Sequence, residues 1–279
     1  MQMNAPLFSI LVAQYNNGKY FEECYQSIMA QTYPNWEVII VDDASTDHSV
    51  ELMRKFIGDD PRFKLYQNAE NRGCGFTKRR LVELASGELC GFVDPDDVIT
   101  ENAVSIMVEN HGKYPEYSTV YSDCIFCDAQ MEEIHVRKTK QAPNHDLNFT
   151  NYYAEIFAWT TFKKMFYNKT AGISPILKRA VDQDLVMKLY EVGEVLHLAE
   201  NLYKYRQHDG GISTMTNQGK AKYWHWVVIM DAAKRRGVNF ETFFENHVLK
   251  SQREKDLEKE VARYNRSLFF KVLRKLKLF

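Results

Sequence analysis

Four short apolar runs alternate with amphipathic helical stretches through the first hundred residues, and each run but the third ends in a polar cluster or acidic turn. Phe8 to Ala13 leads into Gln14-Tyr15-Asn16-Asn17-Gly18, and Trp36 to Val41 into Asp42-Asp43-Ala44-Ser45-Thr46-Asp47. Phe63 to Tyr66 is the third run, and Leu89 to Val93 closes on Asp94-Pro95-Asp96-Asp97. Between them, Tyr20, Cys24 and Ile28 make one helical stripe with Phe21 and Tyr25 beside it. Val50, Met53 and Ile57 make a second, for which Ser45 or Thr46 is the expected cap, and Leu81, Leu84 and Ala85 face inward from a third over Thr77 to Ala85. Such alternation demands an α/β fold with a mostly parallel sheet covered on both faces. Ligands of such sheets bind beyond the carboxyl ends of the strands, where these polar clusters lie.

The rhythm changes after residue 100. A helix is expected over Asn102 to Tyr114, with Val104, Met107, Val108 and His111 inside, then a strand over Thr119 to Phe126. Residues 128–150 read as a polar, mobile loop, Asp182 to Gly193 as a helix and Glu194 to Tyr205 as a strand. The turn Gln207-His208-Asp209-Gly210-Gly211 follows, and beyond Asn217 the pattern is helical.

Composition removes several alternatives. Thirty-six Lys and Arg balance 37 Asp and Glu in 279 residues, so no whole-body basic field invites nucleic acid. No apolar run approaches the roughly 20 residues that span a bilayer. Met1 to Tyr15 has no basic leader, and five scattered cysteines suit a reducing compartment, so a cytoplasmic location is expected. Cys124 and Cys127 have half of a zinc-knuckle spacing, but no second pair follows.

Asp94, Asp96 and Asp97 supply only oxygen ligands, which suits Mg2+ or Mn2+ rather than zinc. Such ions bridge substrate phosphates, so a nucleoside diphosphate with a good leaving group is the natural ligand; the competing reading is a solvated turn built around Pro95. Neither a dinucleotide fingerprint nor a P-loop is present. Arg72, Lys78, Arg79 and Arg80 are the nearby cations for neutralising a diphosphate, although part of that run suits the outer face of a helix.

Tyr15-Asn16, Gln31-Thr32-Tyr33-Pro34, Val41 to Asp47, Asn71-Arg72-Gly73, Ala85-Ser86-Gly87-Glu88 and Asp94 to Asp97 follow one another in the order of a known family. Together with Ala180 to Leu185 and Tyr205-Arg206-Gln207-His208, they resemble the family 2 glycosyltransferases, inverting enzymes of the GT-A fold. The resemblance implies a nucleotide-sugar-binding half over 1–100, an acceptor-binding half over 101–216 and a helical extension over 217–279. It implies that Asp42, helped by Asp43, meets the nucleotide base with Tyr15 close by. Lys78 would contact the donor, Asp94 the ribose or the water shell of the metal, and Asp97 the donor sugar or the metal. Asp96, Asp94 and His208 would hold Mn2+ or Mg2+; His208 otherwise reads as a surface residue of a Gly-rich loop. Lys78 stands where the family usually has arginine, Arg79 where it often has asparagine, and Ala13 where proline is common.

Asp182 matches the family's general base, and Val181 replaces the acid that usually precedes it. Residues two apart do not share a helix face, so only one of Asp182 and Asp184 should enter the cleft, and Asp182 is the candidate. Its alternative role is an acid favoured by the helix dipole. Trp159, with Tyr152, Tyr153 and Phe162, is the candidate platform for an acceptor sugar, although aromatics at this spacing also suit a core. The expected reaction moves a sugar from a nucleotide sugar, UDP-linked by family habit, to a glycan or lipid-linked glycan in polysaccharide biosynthesis. Competing functions are a non-catalytic nucleotide-sugar or glycan module, and a sugar nucleotidyltransferase, which should carry a Gly-rich amino-terminal loop that 14–18 lacks.

From Val261 to Phe279 there are six Lys and Arg and no acid, with Leu268, Phe269, Val272, Leu273, Leu276 and Phe279 forming an apolar stripe. That pattern suits a helix lying on an anionic membrane surface, peripheral to the cytoplasmic leaflet. Docking on the catalytic domain and an oligomer interface are the alternatives.

Overall fold

The computed structural model describes residues 5–208, 218–245 and 250–266. The strands are β1 (Phe8–Gln14), β2 (Trp36–Asp42), β3 (Phe63–Gln67), β4 (Leu89–Phe92), β5 (Val98–Ile99), β6 (Tyr117–Cys127), β7 (Glu133–Arg137), β8 (Thr161–Lys163) and β9 (Glu194–Arg206). The helices are α1 (Phe21–Met29), α2 (Ser49–Ile57), α3 (Cys74–Leu84), α4 (Ala103–Lys113), α5 (Lys164–Tyr167) and α6 (Val181–Tyr190), then α7 (Gln218–Arg236), α8 (Phe240–Phe244) and α9 (Lys250–Arg266). Two compact units divide within α7, one running to Ile229 and the other from Met230. Among the described residues, no helix is long and apolar enough to cross a membrane. The basic, apolar stripe expected beyond Arg266 and the glycines 210 and 211 lie outside the described residues.

One sheet runs in the order β3-β2-β1-β4-β8-β6-β9-β5, with β7 on β6. The first four strands are mutually parallel, as their continuous apolar character requires, and β6 and β9 are also parallel. Antiparallel β8 joins the two parallel sets, pairing β4 on one side and β6 on the other. Every residue of β2 is buried, and Ile10, Val12, Val38 and Ile40 pack with Phe21, Cys24 and Ile28 of α1 and Met53 of α2 in the main core. Each such side chain contributes about 1.5–3 kcal/mol on leaving water. A smaller core gathers Tyr121, Phe149, Ile156, Val186 and Val195 beneath the 140–156 segment.

Two local expectations are corrected. Ser45 and Thr46 do not cap α2: His48 holds that position, the Asp47 carboxylate accepts from Ser49 N at 3.0 Å, and Ser45 turns to Asp42. Residues 128–150 are not one irregular loop throughout. Glu133–Arg137 pairs with β6, and Tyr121 Oη donates to the Lys140 carbonyl at 2.6 Å while accepting from Ala142 N at 2.8 Å. Long polar side chains hid a strand whose edge position keeps it exposed. Cys124 and Cys127 are buried free thiols, raised in pKa by that burial.

Candidate active site

The carboxyl ends of β1 and β2 are bound into one rim. Asn16 N donates to Ser45 Oγ at 2.9 Å, and Asn16 Oδ1 accepts from Thr46 N at 2.8 Å. Ser45 in turn donates to Asp42 through its hydroxyl at 2.5 Å and its backbone N at 3.0 Å. Tyr15 therefore stands 46% exposed beside the Asp42 turn, while Asp42 itself is buried with its oxygens engaged by Ser45. Asp43 faces the other way. It accepts from Asn68 Nδ2 at 2.6 Å, Arg72 N at 2.9 Å and Gly73 N at 2.7 Å, which fixes the loop that opens α3. An acid at a helix amino terminus also complements its dipole.

Lys78 follows on the first turns of α3, and Gly75 brings that helix close to the segment before α6. Gly75 N donates to the Leu177 carbonyl at 2.8 Å, and a Cβ there would lie 2.5 Å from the Ser174 carbonyl oxygen. This approach lets Lys78 Nζ reach Asp182 Oδ1 at 2.7 Å and Asp94 Oδ1 at 3.4 Å. The lysine side chain is 5% exposed, whereas Asp182 is 71% exposed and Asp94 43%. Burial works against the ammonium, but Asp182 and Asp94 overcome it and hold the Lys78 pKa well above its ordinary value. Withdrawal from water and the neighbouring Asp182 and Asp96 raise the Asp94 carboxyl, against the pull of Lys78.

The two acids of α6 separate as helical geometry requires. Asp182 opens to solvent, whereas Asp184 is buried, accepting from Ser174 N at 2.8 Å and pairing with Lys188 at 2.8 Å. Ala180, with φ 56°, takes the left-handed conformation immediately before the helix and turns the chain into it.

Lys78 also reaches the 94–97 turn, which is shaped by β9. Tyr203 Oη donates to Asp97 Oδ2 at 2.7 Å and accepts from Asp94 N at 3.3 Å, while Arg206 N donates to Asp97 Oδ1 at 2.8 Å. The Arg206 guanidinium donates to the Asp96 carbonyl at 2.8 Å, pairs with Glu23 at 3.0 Å and lies 4.7 Å from the Tyr20 ring. Burial, reinforced by Asp96 and Asp94, lifts the Asp97 carboxyl well above its ordinary pKa. Asp97 is thus buried and braces the turn, both its oxygens being taken by Tyr203 and Arg206, which leaves its expected contact with donor or metal without a free oxygen in this structure. Asp96 remains available, with Oδ2 at 2.8 Å from His208 Nε2, and the imidazole leans on Tyr20 at 4.7 Å between ring centres.

Two further expectations change. Trp159 is fully buried between Phe8 (5.9 Å) and Tyr203 (6.4 Å), its indole N–H donating to the Ala103 carbonyl, so it offers no face to a sugar; Phe162 is buried likewise. Arg79 is tied to Glu83 and the carbonyls of Ala171 and Ile173, and Arg80 to Gln67 O and Asn68 Oδ1, so these cations fix loops. Asn68, Tyr203 and Arg206 carry the site's shape. Asn68 lies just beyond β3 and Tyr203 within β9, neither in a marked motif, whereas Arg206 belongs to the Tyr205-Arg206-Gln207-His208 motif.

Asp94, Asp96 and His208 are hard or borderline donors around one turn. Among the described residues, no three His, Cys, Asp or Glu side chains form a ready-made cage. That donor set fits a hard cation that takes one or two protein ligands and completes its shell with phosphate oxygens and water.

Comparison with known proteins gives this arrangement a lineage. The chain is 28% identical over 220 residues to glycosyltransferase GlyG of Streptococcus pneumoniae, covering 74% of this chain and 72% of that one. It is 27% identical over 254 residues to the hyaluronan synthase of Pasteurella multocida, where 86% of this chain covers 24% of the longer protein. In fold it is similar to S. aureus TarS 1–349 in complex with UDP-GlcNAc, with TM-score 0.66, 23% identity and coverage of 79% and 65%. It is also similar to the mannosyltransferase PcManGT of Pyrobaculum calidifontis in complex with GDP-Man and Mn2+, with TM-score 0.62, 19% identity and coverage of 81% and 64%. The family model described as glycosyl transferase family 2 matches residues 9–168, more than half of the molecule, and the chain belongs to that family.

Proposed function

We propose that this chain transfers a sugar from a UDP-sugar, with inversion at the anomeric carbon, to a hydroxyl of a growing glycan or lipid-linked glycan during polysaccharide synthesis. One observation carries the reading: buried Lys78 bridges Asp94, at a strand end, and Asp182, 104 residues further along the chain than the lysine. An exposed carboxylate and the acid turn thereby share one cleft through Lys78, which supports Asp182 as the base that an inverting transfer needs opposite the leaving group. The neighbours bound to UDP-GlcNAc and GDP-Man, and the relative named a hyaluronan synthase, support the substrate classes.

The donor's base would rest against the rim of Tyr15 and the Asp42–Asp43 turn. Its diphosphate would reach Lys78, whose buried ammonium needs no reorganisation to meet negative charge. Asp96 and His208 would hold Mn2+ or Mg2+, with Asp94 toward its water shell, and the bound ion would offset the charge left on the departing nucleoside diphosphate. Asp182 accepts the proton of the acceptor hydroxyl as its oxygen bonds to the anomeric carbon and the bond to the diphosphate breaks. Asp97, Tyr203 and Arg206 keep the acid turn from relaxing as charge shifts.

The test is Asp182→Asn assayed with UDP-sugars and a glycan acceptor panel. The variant should bind donor as the parent does and lose transfer by about 10²–10⁴-fold, the usual worth of a positioned base. Undiminished turnover would refute the assignment.

A further inference from the structure

With Trp159 and Phe162 buried, the exposed aromatic of the same stretch is Tyr153, on a loop hydrogen-bonded to the helix of the proposed base. Tyr153 is 70% exposed at the tip of the 150–156 loop, yet the loop is tightly built. Asn151 closes it, accepting from Ile156 N at 2.7 Å and donating to the Ile156 carbonyl at 3.1 Å. Arg137 Nη2 donates to the carbonyls of Tyr153 (3.3 Å) and Ala154 (3.0 Å) from the neighbouring β7. Behind the tip, Tyr152 meets Tyr153 edge to face at 4.9 Å and 87°, and its own ring is backed by His225 and Trp226 of α7, each at 5.5 Å.

Two details set this loop apart from an ordinary connection. Ala154 holds φ of 52°, a left-handed conformation that is costly for an alanine and clusters at binding sites, and Asn151 holds φ of 51°, which asparagine tolerates. The loop is also tied to the helix of the proposed base. Asn151 Nδ2 donates to Gln183 Oε1 at 2.9 Å, the residue after Asp182, and Gln183 Nε2 returns a hydrogen bond to the Thr150 carbonyl. Strain and a buried amide exchange hold an uncovered ring in place, which serves ligand recognition rather than folding.

We infer that Tyr153, braced by Tyr152, is a stacking subsite for a sugar ring of the acceptor glycan. A pyranose presents an apolar C–H face flanked by hydroxyls. A tyrosine with only two side-chain torsions matches that face at low entropic cost and offers its phenol to a hydroxyl. The identification of the ligand as a carbohydrate rests on the transferase reading above, since the loop is coupled to α6 one residue from Asp182. Gln183 ties the loop to that helix through its hydrogen bonds with Asn151 and Thr150.

The experiment measures glycan binding to the whole protein by saturation-transfer NMR and titration, with UDP binding followed in parallel. Hyaluronan, chondroitin and chitin hexasaccharides are the probes. The parent should bind at least one of them, Tyr153→Ala about tenfold more weakly and Tyr153→Phe within about threefold, with UDP affinity and melting temperature unchanged. Binding of none of the three by the parent, or equal binding by Tyr153→Ala, overturns the subsite. A protein that takes UDP-sugar and turns it over but ignores Tyr153 keeps the transferase reading and loses this site. One that binds glycan through Tyr153 and takes no nucleotide sugar does the reverse.

Discussion

Lys78 Nζ lies 2.7 Å from Asp182 Oδ1, joining α3 of the amino-terminal parallel strands to the helix that bears the proposed base. The same ammonium is 3.4 Å from Asp94. One buried cation thus serves two carboxylates, and its removal leaves them facing each other without a counter-charge.

Lys78→Met should therefore weaken donor binding and transfer together, unlike Asp182→Asn, which should spare donor binding. Because both residues act through one contact, the double variant should fall well short of the summed single effects, with a coupling of about 0.5–3 kcal/mol. The kcat/KM values of the four proteins in the cycle check this. Strict additivity would mean that the ion pair has no part in turnover.

Tyr203→Phe strips a hydroxyl that serves Asp97 and the backbone of Asp94. A buried carboxylate oxygen left without its donor costs about 1–3 kcal/mol. The expected result is a lower melting temperature together with a raised KM for the nucleotide sugar, since the acid turn loses its brace. Calorimetry and donor titration read the two effects separately.

Trp159→Ala should behave as a core variant. Emptying a fully buried indole costs about 3–5 kcal/mol, seen as a large drop in the urea midpoint. The protein that remains folded should bind glycan with parental affinity, which separates Trp159 from Tyr153.

Acid stability should depend on Glu37, at the opposite end of the sheet from the site. Its burial opposes ionisation, but Lys64, Ser9 Oγ and Ser86 N all bond to the carboxylate and bring its pKa below the ordinary value. A carboxyl with a folded pKa below its unfolded one, about 4.3, stabilises the fold at higher pH and loses that contribution as pH falls through the folded value. Glu37→Gln should therefore lower stability at pH 7 and flatten the stability curve below about pH 4.5. Denaturant titrations across pH 2–7 provide the check.

The amino-terminal strands and helices were legible because period and punctuation agree there: β1, β2 and β4 begin where their apolar runs begin and end at the polar turns. Motif order also brought Lys78, Asp94, Asp96 and Asp182 into consideration, and Lys78, Asp94 and Asp182 meet in space. What a linear pattern does not carry is direction. Asp97 and Asp96 are adjacent, yet one turns into Tyr203 and the other toward His208. Trp159 and Tyr153 are both aromatics of one stretch, and only the course of β8 decides which is inside. In β7, Ile134 and Val136 do alternate with Glu133, His135 and Arg137, but the run is short and lies exposed at an edge, so its apolar side chains mark no buried face.

The 94–97 turn takes its form from Tyr203 and Arg206, the latter 109 residues after Asp97. A ribosome needs roughly 5–20 s to synthesise that interval, at common elongation rates. Throughout it the nascent polypeptide carries its acidic turn without the strand that shapes it. Affinity for an activated sugar should therefore arise late in translation, and prematurely terminated products ending before Tyr203 should be unable to sequester the cell's sugar nucleotides.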